Sequence, residues 1–140
     1  MNKILLFCIW TVLISALGIV LLVSYWMLYP YKTVTFKQPF IVLNSPVKIG
    51  DNLLILVNYC KYTTEIPTVT SHFVDGIAFD VPEKTVIAKH VGCGEMVISE
   101  PIPEHLSPGD YVLQRVYKYH PNPIRDIQVV TETGSFIVIK

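Results

Sequence analysis

The sequence predicts an all-β domain behind one N-terminal transmembrane helix. Three observations carry this reading. The chain opens on an uncharged apolar run from Ile4 to Val23, followed by a cluster of aromatic residues. After Tyr31, short β-rich segments alternate with turn residues and no segment keeps a helical period. Beyond the helix the cysteines number two, Cys60 and Cys93, an even pair suited to a cross-link.

The apolar run is the length that a helix needs to cross the hydrocarbon core, about twenty residues. Thr11, Ser15 and Gly18 interrupt it, and a helix tolerates them because its backbone bonds are internal. Tyr25, Trp26, Tyr29 and Tyr31 then mark the membrane–water interface, where amphipathic rings concentrate. Pro30 stops the helix. The competing reading is a cleaved signal peptide. Its apolar core would be unusually long, and Ser24-Tyr25-Trp26 lacks the small-x-small cleavage pattern. Cys8 lies too early, after Leu6 and Phe7, to be a lipid-attachment cysteine. Residues 1–31 are therefore expected to be an anchor in the lipid bilayer, and residues 32–140 a domain in water. The small-xxx-small spacing of Thr11 and Ser15 points to a homo-oligomer through the helix.

Charge gives little orientation. Lys3 lies on one side of the run, and Lys32 and Lys37 on the other. The short tail before the apolar run has the form of a signal anchor, and the cysteine pair suits an oxidising compartment. Both place the domain outside the cytoplasm. Over the whole chain eleven basic residues balance eleven acidic ones, and no basic run occurs. Nucleic-acid binding needs a clustered cationic footprint, so it is excluded.

Strands are expected at 33–37 and 40–43, flanking Pro39, then at 53–62, which is apolar on both faces as in a sheet core. Further strands are expected at 68–74, 77–81, 85–90, 95–99, 111–119, 127–131 and 135–139. Asn44-Ser45-Pro46, Gly50-Asp51-Asn52, Asp75-Gly76, Pro82-Glu83, Gly92-Cys93-Gly94, Pro108-Gly109 and Thr133-Gly134 separate them as turns. Short strands at this spacing suggest a sandwich or barrel. Segment 33–37, next to Pro39, reads as an edge.

One local pattern sharpens the fold. Leu106-Ser107-Pro108-Gly109-Asp110-Tyr111 reads as a corner opening into a long strand. A tyrosine in that place is the tyrosine corner of immunoglobulin-like β-sandwiches. Leu113 stands where immunoglobulin domains carry a cysteine, and neither tryptophan lies beyond Tyr31. Hence the expectation is an immunoglobulin-like sandwich rather than an immunoglobulin domain. Arg115 shares the parity of Tyr111 and Leu113, which predicts a bulge or a partly exposed strand end.

Gly50-Asp51, then 58–63 (Asn-Tyr-Cys-Lys-Tyr-Thr), then Phe73-Val74-Asp75-Gly76, Gly92-Cys93, 106–111 and Tyr119 with 122–125 form a spaced set. It resembles a loose group of phage-encoded and bacterial membrane-anchored proteins, over residues 45–140. The resemblance implies an immunoglobulin-like fold and a phage or bacterial origin. It brings no activity with it.

Cys60 and Cys93 are expected to form a disulfide, with the glycines beside Cys93 letting the chain bend back. The alternative is a metal- or redox-handling envelope protein. His90 and Cys93 have H-x-x-C spacing, and Cys60 and His72 would complete a ligand set, although two close ligand pairs are not present. A nucleophilic Cys93 would need a histidine and an orienting group, and no G-x-S-x-G elbow occurs. No catalytic residue, cofactor or metal is therefore expected. The function expected is a non-catalytic interaction or structural role in a virion membrane or host envelope. Partner contact is assigned to the proline-stiffened stretch from Tyr119 through His120 to Arg125.

Overall fold

The computed structural model describes residues 3–75, 77–85 and 91–140. Contacts group the chain into two compact units: residues up to Tyr31 together with Pro121–Arg125, and Lys32–His120 together with Asp126–Lys140.

The first unit is built on α1, Lys3–Leu28. The helix is long and apolar enough to cross a membrane, and none of its residues is buried. The hydroxyls of Thr11 and Ser15 donate to the carbonyls of Phe7 and Thr11 four residues back, each at 2.9 Å. That back-bonding removes the polar cost of placing them in an apolar medium. The rings of Tyr25, Tyr29 and Tyr31 pack in sequence, tilted and then edge-on, with centroids 5.1 and 4.8 Å apart.

Nine strands follow among the described residues. They are β1 (Val34–Val42), β2 (Val47–Lys48), β3 (Asn52–Lys61), β4 (Thr68–Asp75), β5 (Ile77–Thr85), β6 (Gly92–Pro101), β7 (Gly109–Asn122), β8 (Arg125–Glu132) and β9 (Phe136–Ile139). They form two sheets. One has the order β1-β3-β6, and the other the order β2-β9-β7-β4-β5, with β8 also on β7. Neighbours are antiparallel except β2 and β9, which run parallel.

Alternation decides what each strand buries. Leu53, Ile55 and Val57 of β3 and Ile98 of β6 point inward from the small sheet. Phe73 of β4, Tyr111 and Leu113 of β7, and Phe136 and Val138 of β9 meet them from the large one. All belong to one apolar core. Val34, Val69, Tyr117 and Tyr119 make a smaller cluster. The Tyr111 hydroxyl donates to the Ser107 carbonyl at 2.9 Å, closing the predicted corner. Gly50 holds a positive φ of 85° in the turn between β2 and β3, a conformation that suits glycine.

Several expectations change. Segments 33–37 and 40–43 are one strand, with a register shift between Lys37 and Ile41 around Pro39. Phe40, buried at the shift, makes a bridge to Thr133. Strand β1 is an edge, as expected. Strand β3 is central but open on one face, because Leu54 is exposed while Leu53 and Ile55 are buried. Strand β5 continues past Val81 to Thr85; segment 86–90 and Gly76 of the Asp75-Gly76 turn lie outside the described residues. Arg115 is neither at a bulge nor exposed. Its strand pairs with β4 in unbroken register, Ser71 facing Arg115, and the side chain is buried. The burial is offset by Glu100, which reaches its guanidinium from the other sheet.

Candidate functional site

Both sheets leave aliphatic side chains exposed, Val130, Ile137 and Ile139 among them on the large one, and on the small sheet the register sets them in a row. Residues opposite one another in register share a face. Ile41, Leu56 and Val97 form one outward row across β1, β3 and β6. Ile41 is 51% and Val97 56% exposed. Beside it lie Leu43 and Leu54, joined by the Leu43 amide donating to the Leu54 carbonyl at 2.8 Å. Both are exposed. Asn44 fixes that corner, donating to the Asn52 carbonyl at 2.8 Å and accepting from the Leu54 amide at 2.7 Å. On the other side of the aliphatic row comes a polar one: Lys37, Asn58 and Glu95.

Next along the same face is the disulfide. Cys60 and Cys93 are direct partners across β3 and β6, with Cα atoms 3.9 Å apart and a bond between their sulfurs. The bridge thus lies within one sheet, on its solvent side. Gly92, with φ of 133°, precedes Cys93 at the start of β6. A depression of about 260 Å³ opens beside the bridge, with Lys37, Asn58 and Glu95 on its rim.

The proposed metal set is not assembled there. Each sulfur is bonded to the other, so neither offers a thiolate. His72 is on β4 in the other sheet, its Nδ1 2.7 Å from Asp80 Oδ1. His90 lies outside the described residues.

The stretch expected to contact a partner divides into three environments. Tyr119 is on β7, only 2% exposed and packed with Val34, Val69 and Tyr117. Burial, with Tyr117 and Glu65 beside it, pushes its phenol well above the usual tyrosine range. A ring so placed belongs to the core, and this corrects its assignment to a contact loop. Its inward parity with Tyr111 and Leu113 is the signal for burial; Pro121 and Pro123 draw attention to a loop instead. His120 is exposed, and its amide donates to Glu65. Its Nδ1 sits 2.6 Å from Asp126 Oδ1, while Lys118 Nζ is 2.8 Å from Asp126 Oδ2. Those two partners, Lys118 first, hold the Asp126 carboxyl below the usual range.

Arg125 belongs to the first unit. Its Nη1 donates to the carbonyls of Met27 at 3.1 Å and Tyr29 at 2.7 Å. Asn122 Nδ2 donates to the Trp26 carbonyl at 3.1 Å. The last carbonyls of a helix have no partner within it, so these donors cap α1. Arg125 is thus committed within the chain, which leaves His120 as the exposed residue of the three named.

A slot among Val34, Phe36, Tyr59, Lys61, Pro67, Met96, Tyr117 and Tyr119 offers only about 20 Å³. That is room for a water rather than a ligand. The outward aliphatic row is not visible in the sequence. Leu54, Leu56 and Val97 read there as ordinary core strand residues, since periodicity cannot tell a covered apolar face from an open one.

No protein-family model matches the sequence, and no curated protein matches it as a relative.

Proposed function

We propose that the chain is a membrane-anchored, non-catalytic interaction protein. Helix α1 is its single bilayer span, and an immunoglobulin-like sandwich outside the cytoplasm is its working part. The anchor rests on the length and apolarity of α1 and on the aromatic residues at its end. Three features support the sandwich type. They are the strand orders of the two sheets, the parallel β2–β9 pair, and the hydroxyl of Tyr111 tied to Ser107. The disulfide departs from the antibody pattern, which links the two sheets. It supports an oxidising compartment. A role in a phage virion membrane or a bacterial envelope follows the resemblance of residues 45–140.

The observation that carries the interaction reading is the outward row Ile41–Leu56–Val97 beside Lys37 and Glu95. Contiguous exposed aliphatic groups rimmed by polar ones mark contact surfaces. Site-specific photo-crosslinking of the full chain in membranes tests it. A photoreactive residue at position 97 is expected to capture a protein, and one at the exposed Gln128 of β8 is not. Capture at neither position would overturn the reading.

A further inference from the structure

We infer that the partner of this face is a second copy of the same chain, stacked on it about a two-fold axis parallel to β3. The inference rests on the interaction reading above and names its partner.

Two opposite charges mark the ends of one row. Lys37 stands on one edge strand and Glu95 on the other, with Asn58 between them. Strands lie about 4.8 Å apart, so the two backbones are about 10 Å from each other. Among the described residues neither side chain takes part in an ion pair. The row therefore carries opposite, mutually unsatisfied charges at its two ends.

A two-fold axis along β3 exchanges the edges. It sets β1 of one copy above β6 of the other while keeping each row at its own height. Lys37 of each copy then meets Glu95 of its mate, and both pairs form at once. The same operation lays Ile41 over Val97 and Leu56 over Leu56, so apolar groups meet apolar groups. Face-to-face sheets pack about 10 Å apart with their strands roughly aligned, which aliphatic side chains of this size fill. One self-complementary patch serving both copies is the form that a two-fold dimer requires.

Connectivity favours this axis over its alternative. The small sheet begins at Val34, three residues after Tyr31. An axis along the strands brings Val34 of both copies to the same end, as two chains inserted in one bilayer need. An axis across the strands would send them to opposite ends, and it would set Lys37 far from Glu95. Tethering in one bilayer also raises the effective concentration of the copies, so a patch of this modest size suffices.

The experiment uses the full chain, labelled separately with donor and acceptor dyes and reconstituted in lipid vesicles. Wild type is expected to show energy transfer that falls at least several-fold in Lys37→Glu and in Glu95→Lys. The double reversal, Lys37→Glu with Glu95→Lys, is expected to restore it, which also shows that the single variants remain folded. Val97→Asp is expected to abolish it, and Ser15→Leu to leave it unchanged. Absence of transfer in wild type would overturn the dimer. So would transfer that survives Val97→Asp, or single reversals that the double fails to rescue, or a dimer lost with Ser15→Leu alone. Capture of a different protein at position 97 without energy transfer would overturn the second copy and leave the interaction reading standing. Failure of both experiments would remove both.

Discussion

Arg115 on β7 and Glu100 on β6 meet inside the protein, Nη2 to Oε2 at 3.5 Å, each side chain 1% exposed. They come from different sheets, so the pair crosses the core. The Arg115 guanidinium also lies 5.7 Å from the centre of the Tyr117 ring. Its Nε and Nη1 have no partner among the described residues. Such a pair holds two charges out of water, and removing Glu100 takes this counter-charge from the buried Arg115.

Glu100→Ala, which leaves the buried Arg115 without that carboxylate, is therefore expected to destabilise the protein by about 3–5 kcal/mol, the usual cost of breaking a buried pair. The joint replacement Arg115→Met with Glu100→Leu is expected to cost much less than the two single changes together. Urea unfolding of wild type, Arg115→Met, Glu100→Leu and the double variant closes the cycle. Additive losses would mean that the two charges do not act on each other.

The disulfide closes a loop with a sequence separation of 33. In the chain-entropy model that constraint is worth about 3–4 kcal/mol. The Cys60→Ala, Cys93→Ala double variant is expected to lose stability of that order. Wild type is expected to become indistinguishable from it once reduced. Comparing urea midpoints with and without reductant checks both statements.

The hydroxyl of Tyr111 donates to Ser107 while its ring is buried in the core. Tyr111→Phe keeps the ring and removes the bond. It is expected to cost about 1 kcal/mol, the net value of one hydrogen bond. Tyr111→Ala removes both and is expected to cost about 3–5 kcal/mol, as large aromatic deletions do. Thermal melting of the two variants separates the contributions.

What the sequence discloses and what it hides divide along one physical line. Features built from neighbours are legible. The corner from Ser107 to Tyr111, the break at Pro39 and the apolar helix each rest on residues close in the chain. Cys60 and Cys93 are legible from parity and compartment, although their placement within one sheet is not. Features that depend on what lies opposite are hidden. A lone inward arginine is costly, so the sequence alone argues for exposure of Arg115, and nothing near it in the chain announces Glu100. The exposure of Leu54 and Val97 depends on what lies over the small sheet, which alternation alone does not encode. Tyr119 is readable from its parity, but the prolines after it suggest a loop, whereas β7 runs on to Asn122.

Asp126 supplies the pH dependence. Its carboxyl is held below the ordinary range by the Lys118 hydrogen bond first and His120 second. A carboxylate depressed in the fold stabilises it above the ordinary pKa of about 4, and that contribution disappears as pH falls through the lower, folded value. The three side chains are on the surface, so the effect on stability is small. The midpoint itself is the sharper observable. Carboxyl-detected NMR titration is expected to place Asp126 below a free aspartate and to move it upward in Lys118→Met. No movement would mean that the contact at 2.8 Å does not persist in solution.

The bridge between Cys60 and Cys93 also has a mechanical meaning. A pull applied to the two ends of the chain loads it in tension. Stretched from its ends, this chain transmits the pull from Cys60 to Cys93 directly through the sulfur bond. The residues between them, which include β4 and β5, carry no load and cannot unravel. Reduction would release them, lengthening the fully extended chain by about 110 Å at about 3.4 Å per residue. In the oxidised form the Cys60–Cys93 bond is a fixed stop on extension.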